Sequence, residues 1–272
     1  MTVSKRTRWT LRVIALAYLA ALLIVPIAVV FEKTFEHGFS TAWAYMTTPA
    51  AVSALWLSIV MAVIAVPLNT IFGISAALTI ARGRHRRLAA VLDALIDLPF
   101  MVSPVIVGLA LTLVYGLHGW FGKWFEQQNV QIIFAPAGMV LATIFVSLPF
   151  VVREVTPVLI EVGDEQEQAA ATLGAGRWQT FRRITFPSIR WGVAYGVILS
   201  TARALGEIGA VLVVSSLIAG KTLTLPLLVY ERYQNPGSAS LTGSYAAATE
   251  LTVISLVVLF GMTLLSSRRS DA

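Results

Sequence analysis

The chain has no cysteine and few charged residues, and both shortages restrict what it can be. The absence of cysteine excludes disulfide bonds, thiolate metal sites and a cysteine nucleophile. Only 12% of the 272 residues are charged, whereas 57% are hydrophobic, which is more apolar surface than a soluble domain can bury. Because lipid cannot satisfy backbone groups, the composition indicates an all-α integral membrane protein.

Catalytic patterns are also missing. The three histidines are scattered without the HExxH spacing of a metal site. The closest approach to a phosphate-binding P-loop ends at Gly122-Lys123, but Leu117 occupies the first glycine position and Trp124 the Ser or Thr position. We therefore expect a protein that is not an enzyme and holds no metal or cofactor, so that any ATP and magnesium are bound by another chain.

Six segments are long and apolar enough to cross a bilayer, whose core of about 30 Å needs roughly 20 helical residues. They lie near Leu11–Phe31, Leu55–Ile80, Asp93–Tyr115, Ala135–Pro157, Val193–Leu217 and Tyr245–Leu265. The first has too long an apolar run for a cleaved signal and lacks a cleavage site, so we expect a retained signal anchor. This predicts an N-terminal region, 1–54, with a tail, the first span and an outer segment, followed by the main transmembrane domain, 55–267.

The distribution of Lys and Arg predicts the orientation, because translocated loops are poor in cations. Fifteen of the 20 lie on one side of the membrane, and Arg203 falls within the fifth span. The fifteen are Lys5, Arg6, Arg8, Arg12, Arg82, Arg84, Arg86, Arg87, Arg153, Arg177, Arg182, Arg183, Arg190, Arg268 and Arg269. Both termini and the loop after the fourth span are therefore expected to be cytosolic. The run from Arg82 to Arg87 is interpreted as an anchor to lipid headgroups.

The loop between the fourth and fifth spans, 158–192, is about 35 residues long and more polar than a connector needs. Acidic residues up to Glu167 begin a predicted short helix, which Gly174 ends in a left-handed turn. A second short amphipathic helix is predicted from about Arg177 to Ile184, stopped by Pro187. The two helices would form a protruding elbow, with Ala169–Ala171 as a small-residue face that another protein can approach.

This loop carries the pattern E-A-A, three residues, G, nine residues, I-x-L-P, with Gln168 in place of the Glu and Phe186 in place of the Leu. The pattern resembles that of permease subunits of ATP-binding-cassette importers. The resemblance implies a coupling helix that seats in a cleft of an ATPase subunit. The implied ATPase-coupling residues are Glu167, Gln168, Ala169, Ala170, Gly174, Ile184 and Pro187.

Four further segments extend the resemblance over almost the whole chain. They are Asp97–Val105, Pro149–Glu154, Arg190–Gly192 and Ala202–Ala210. These segments are similar to those of sulfate/thiosulfate permeases, specifically the CysW-type subunit. The resemblance implies a type I importer permease fold in a bacterial inner membrane and import by alternating access. It also implies as partners a second permease of the CysT type, two ATP-binding subunits that use ATP and Mg, and an extracytoplasmic sulfate-binding protein.

Arg203 and Glu207 are charged residues within a predicted span, four apart on one helix face. Two hypotheses follow. They form a mutual ion pair that joins the fifth helix to its neighbours, or Arg203 also offers its guanidinium to the anion in transit. Ser103 and Asp97 complete the set of candidate pathway residues.

Asp93 and Asp97 form a second pair at the same spacing, but of like charge. Because two ionised and unpaired carboxylates are costly in a membrane, at least one should meet a cation. We expect Asp97 to be the better buried, with Arg203 or Arg153 as its partner, since Pro99 and Pro104 should break the helix just beyond it and free backbone groups nearby.

Other functions remain open at this stage. Molybdate and tungstate are tetrahedral dianions that would meet the same electrostatics as sulfate. A secondary anion transporter without an ATPase would also have buried charges, although the chain shows no convincing internal repeat. A membrane-embedded enzyme would need a convergent set of catalytic groups, which the sequence lacks.

Overall fold

The computed structural model describes residues 5–83, 85–235 and 237–267, which are helical with connecting turns and contain no strand. The helices in chain order are α1 (Lys5–Phe35), α2 (Phe39–Met46), α3 (Pro49–Arg82), α4 (Arg86–Met101), α5 (Pro104–Tyr115), α6 (Gly122–Gln127), α7 (Pro136–Val162), α8 (Glu165–Thr172), α9 (Arg177–Thr180), a π-turn (Phe181–Thr185), α10 (Phe186–Leu205), α11 (Gly209–Val214), α12 (Leu225–Gln234) and α13 (Ser238–Ser267). Of the cations used to predict orientation, Arg84, Arg268 and Arg269 lie outside the described residues, as do the side chains of Lys5, Arg6 and Arg8.

Among the described helices, α1, α3, α7 and α13 are each long and apolar enough to cross a membrane. Helices α4 and α5 pass the same test only as a pair, bent by 110°. The predicted third span, Asp93–Tyr115, is therefore a bent pair of helices. The expected helix break at Pro104 is present, whereas Pro99, which was also expected to break the helix, lies inside α4. The break follows from Pro104, which disfavours helical backbone at the preceding residue and itself begins a helix readily, so that Ser103 is extended and α5 begins anew.

The predicted fifth span, Val193–Leu217, is not one continuous helix. Helix α10 begins at Phe186 and ends at Leu205, and the short α11 follows after a break. Pro187 does not stop a helix, because it lies in the first turn of α10, where its missing N–H is tolerated. The helical backbone instead continues from α9 through the π-turn into α10.

Helices α3, α7 and α10 pack on one another and form the centre of the molecule. Val151 of α7 is fully buried between two glycines, Gly73 of α3 and Gly196 of α10. A Cβ atom at Gly73 would lie 2.7 Å from the Val151 Cβ, and one at Gly196 would lie 2.8 Å from the Val151 Cα. The absence of two side chains therefore allows the three backbones to approach closely.

A polar side chain also holds this centre together. Asn69 of α3 is fully buried and donates from Nδ2 to the Ser147 Oγ at 2.8 Å and to the Ile144 carbonyl at 3.1 Å, both on α7. Asn69 lies two residues after Pro67 inside α3, where a local role at a proline kink is the simplest expectation. The structure shows instead that Asn69 links two helices.

Helix α11 packs against α5 at a second close approach. A Cβ at Gly108 of α5 would lie 2.6 Å from the Ala210 carbonyl oxygen. Gly209 similarly lies against Pro104, with 3.0 Å between its ideal Cβ position and the Pro104 Cβ. These contacts place the break between α10 and α11 beside the break between α4 and α5.

Candidate functional site

The segment between α7 and α10 contains the predicted elbow. Helix α7 continues to Val162 and α10 begins at Phe186, so residues 163–185 connect the two helices inside the segment predicted to lie between spans, 158–192. Within it, α8 is followed by Gly174 at a φ of 83°. The predicted left-handed glycine turn is thus confirmed, and it reverses the chain between α8 and α9.

The exposed surface of α8 differs from the predicted small-residue face. Gln168 and Ala169 are exposed, but Ala170 is buried, with 9% of its surface exposed. Leu173, at the end of α8, is 88% exposed, and Trp178 in α9 is 72% exposed. Sequence reasoning missed Leu173. An apolar residue ending a polar helix is the signal that could have identified it.

Glu167 is directed toward its own chain. Its Oε2 lies 3.2 Å from the Arg82 Nε, and its Oε1 accepts a hydrogen bond from the Thr185 Oγ1 at 2.8 Å. Both carboxylate oxygens are therefore engaged within the chain, whereas Gln168, at the acidic position of the pattern, is left exposed. Of the other predicted coupling residues, Pro187 is exposed and Ile184 is half-buried.

Arg82 is not a lipid-headgroup anchor, contrary to the prediction. Its side chain is only 19% exposed. Besides Glu167, it donates from Nη1 to the Leu159 carbonyl at 2.9 Å and from Nη2 to the Gly163 carbonyl. Sequence reasoning missed this role, because the partners are about 80 residues away along the chain.

Two of the four candidate pathway residues share a cleft. A cavity of about 380 Å³ is lined by Arg203 of α10, Val146 of α7 and the segment Pro99–Pro104, which includes Ser103. The cleft lies where α4 breaks into α5. Ser103 is the residue before α5, and its side chain does not cap that helix. The N-terminal, electropositive end of α5 and the Arg203 guanidinium thus lie at the same cleft.

The ion pair between Arg203 and Glu207 is confirmed. The Arg203 Nη2 lies 2.8 Å from the Glu207 Oε2, and the Glu207 side chain is 2% exposed. Glu207 lies beyond the end of α10, however, so the two residues are not on one helix face as predicted. Its Oε1 accepts a hydrogen bond from the Ala210 amide at 2.8 Å and so holds the start of α11.

The Arg203 guanidinium keeps donors for a further acceptor. The Glu207 Oε2 is within ion-pair distance but receives no aligned hydrogen bond. Within the described part of the chain, the guanidinium has no other hydrogen-bond acceptor or carboxylate. Its side chain is 33% exposed, and it lines the cleft. The arrangement can therefore bind an anion without first breaking a protein hydrogen bond.

Asp97 lies outside this cleft. The Arg153 Nε donates to the Asp97 Oδ1 at 2.9 Å, and the Arg153 Nη2 contacts the Asp97 Oδ2. The side chain of Asp97 is 26% exposed and that of Asp93 is 44% exposed. The predictions that Asp97 is the better buried and pairs with Arg153 are confirmed, and the alternative partner Arg203 is wrong.

Comparison with known proteins identifies the family. Residues 69–271 match the family model described as "Binding-protein-dependent transport system inner membrane component". The chain belongs to this family. It is therefore a multi-pass inner-membrane permease component, a transport subunit rather than an enzyme.

Relatives cover almost the whole permease. It is 49% identical over 253 residues to "Sulfate transport system permease protein CysW" of Synechocystis sp.. The matched residues cover 93% of this chain and 91% of the relative. The CysW protein of Escherichia coli K12 is 43% identical over 265 residues, which cover 96% and 88% of the two chains. The CysT protein of the same organism is 34% identical over 254 residues, which cover 93% and 90%. These relatives confirm the resemblance to CysW-type permeases.

A solved structure confirms the fold. The crystal structure of a bacterial ABC transporter involved in the import of the acidic polysaccharide alginate matches the permease with a TM-score of 0.79, over 97% of both chains. The sequence identity is 17%, so this match shows the fold alone.

Proposed function

We propose that this permease is the CysW-type subunit of an ATP-driven importer for sulfate or thiosulfate. The observation that carries the proposal is its identity of 43% to 50% to relatives named sulfate permeases, over more than 90% of its length. The six-span topology with cytosolic termini belongs to this proposal.

The partners follow from the same comparisons. The chain is more similar to CysW proteins than to CysT proteins, which supports pairing with a second, non-identical CysT-type permease. The family description supports an extracytoplasmic binding protein as the source of substrate. Two ATPase subunits bind ATP and Mg, and the exposed residues of the elbow, Gln168, Ala169, Leu173 and Trp178, form the surface on which one of them docks.

The cleft at Arg203 supplies the anion contact. A guanidinium and a helix N-terminus both favour a tetrahedral dianion over a neutral or cationic solute. Glu207 lowers the net charge beside Arg203 and so prevents the cleft from holding the anion too tightly for release. Arg203 and Ser103 thus contact the substrate in transit, while Glu207 tunes that contact.

Transport proceeds by alternating access driven by the ATPase subunits. Substrate binding alone supplies a small difference in affinity between two conformations, whereas a nearly complete population shift needs about 5.5 kcal/mol. ATP-driven closure of the ATPase pair acts on the elbow and supplies that energy. The elbow contacts α3 through the Arg82–Glu167 pair and is joined along the chain to α7 and α10, so its movement displaces the helices that carry the wall of the cleft at Arg203.

The experiment is reconstitution of the permease with a CysT-type permease, the ATPase and the binding protein in proteoliposomes. We expect ATP-dependent uptake of radiolabelled sulfate, with competition by thiosulfate and weaker competition by molybdate, tungstate and phosphate. Stronger competition by molybdate would assign the same machinery to molybdate or tungstate. Uptake without the ATPase would instead indicate a secondary anion transporter, and an active homodimer would exclude the CysT-type partner.

A further inference from the structure

We propose that Arg82, Glu167 and Thr185 form a coupling node that transmits the movement of α8 to the membrane helices. The inference rests on the proposed ATP-driven import. In this role Glu167 is a positioning residue, which acts through its own chain rather than by touching the ATPase or the substrate.

Arg82 joins the ends of two central helices. It is the last residue of α3, and its guanidinium donates to the Leu159 and Gly163 carbonyls at the end of α7. The last carbonyls of a helix have no partner within the helix, so a guanidinium that binds them fixes the helix end. Arg82 therefore holds the ends of α3 and α7 together before any contact with α8.

Glu167 adds α8 and α10 to this junction. Its Oε2 contacts the Arg82 Nε, and its Oε1 accepts a hydrogen bond from the Thr185 hydroxyl. Thr185 is buried and ends the π-turn directly before α10. Wide π-turns of this kind are often found at functional sites in helices. One carboxylate thus connects the coupling helix with three membrane helices.

No other side chain of α8 can take over this connection. In the described part of the chain, the hydrogen bonds of Glu167 are the only ones from an α8 side chain to α3, α7, the π-turn or α10. Ala170 is the only buried residue of α8. A load applied to α8 must therefore pass through Glu167 or through the few apolar contacts of this short helix.

An open cleft beside the elbow gives α8 room to move independently of the membrane helices, so the contacts of the coupling node must hold it in place. A cavity of about 700 Å³ lies between the end of α3 and the elbow, with Thr79, Ala171 and Phe181 among its lining residues. Without the ion pair and hydrogen bond of Glu167, α8 could move into this space when the ATPase closes. The movement would then be absorbed by the loop instead of displacing α3, α7 and α10.

The test uses the complete reconstituted importer and measures substrate transported per ATP hydrolysed. Glu167→Gln removes the charge that Arg82 contacts, and Thr185→Val removes one hydrogen bond while keeping the side-chain shape. We expect Glu167→Gln to lower the ratio about tenfold and Thr185→Val about threefold, as for loss of a charged and of a single hydrogen bond. The rate of ATP hydrolysis should stay within about twofold of that of the unaltered complex, because the ATPase is untouched.

Glu161→Gln is the matched control, because Glu161 is exposed at the end of α7 and has no partner among the described residues. It should leave the ratio unchanged. An unchanged ratio in both node variants would overturn the proposal, and so would an equal loss of transport and hydrolysis. If the importer that carries Glu167→Gln fails to assemble, the ratio measured for Thr185→Val alone decides whether the proposal holds. The unaltered complex tests the proposed function separately, since the ratio can be measured with whichever anion it carries.

Discussion

Arg153 on α7 holds Asp97 on α4 through both carboxylate oxygens, with 2.9 Å between the Arg153 Nε and the Asp97 Oδ1. The same guanidinium lies 3.3 Å from an oxygen of Asp93, one helical turn away. A single cation thus pairs with both carboxylates, which reduces their mutual repulsion, and attaches the bent α4–α5 segment to the centre of the molecule. Because that segment also lines the Arg203 cleft, the attachment sets the shape of the cleft.

Replacing Asp97 should destabilise the permease more than replacing Asp93. Asp97→Asn loses the charged pair and is expected to lower the free energy of unfolding by about 1–2 kcal/mol, since the pair is partly exposed. Asp93→Asn should cost less than about 1 kcal/mol, because Asp93 is more exposed and makes one longer contact. Denaturant unfolding in mixed micelles measures both, and equal losses would contradict the assignment of Asp97 as the main partner.

Substitution of Arg203 should slow sulfate uptake, and loss of its charge should slow uptake more than loss of the guanidinium geometry alone. Arg203→Lys keeps the charge but loses the planar fork, so we expect about tenfold slower sulfate uptake. Arg203→Gln leaves Glu207 buried without its cation and should slow uptake about 100-fold. Arg190→Gln, an exposed position at the other end of α10, is the control for loss of charge. Normal uptake by both Arg203 variants, at verified expression, would leave a purely structural ion pair.

Gly196→Ala should disturb the contact of α10 with α7. The new methyl group would lie 2.8 Å from the Val151 Cα, and a backbone atom cannot move aside cheaply. We expect a loss of about 1–3 kcal/mol in the free energy of unfolding of the purified subunit. Gly261→Ala is the control, because its Cβ would meet nothing within 4 Å in a helix of the same chain. It should be neutral or stabilising by up to about 1 kcal/mol.

Gly174→Ala should weaken docking of the ATPase. Alanine at a φ of 83° is strained by about 1 kcal/mol, so the elbow would populate its observed shape less often. The dissociation constant for the ATPase subunit should rise about fivefold. Gly176→Ala, two residues later at a φ of −70° and in open space, should leave it unchanged. Similar affinities for the two variants would show that the left-handed turn is not needed for docking.

Much of the coupling loop was predictable from local sequence. The acidic start of α8 and the glycine turn at Gly174 depend on neighbours within a few residues, and both are present. The role of Pro187 was wrong, because it was expected to end a helix and instead lies in the first turn of α10. A proline signals both helix ends and helix starts, and only the fold distinguishes them.

The cleft was predictable in its residue types but not in its geometry. Arg203 is conspicuous as a charge in an apolar segment, and its pairing with Glu207 follows from their spacing. The helix break at Pro104 was predictable from the proline, but the 110° angle between α4 and α5 was not, because it depends on tertiary packing. The structure places Ser103, at the start of α5, on the same cleft as Arg203.

The sequence by itself determined that this protein is a helical membrane permease with a coupling loop, because composition, apolar length and the E-A-A pattern are properties of neighbouring residues. Only the tertiary structure decided what Glu167 does. Its partner Arg82 is 85 residues away, and no local pattern indicates which of many cations a carboxylate will meet. The packing of α3, α7 and α10 at Val151 brings these distant groups together, because two glycines allow the backbones to come close.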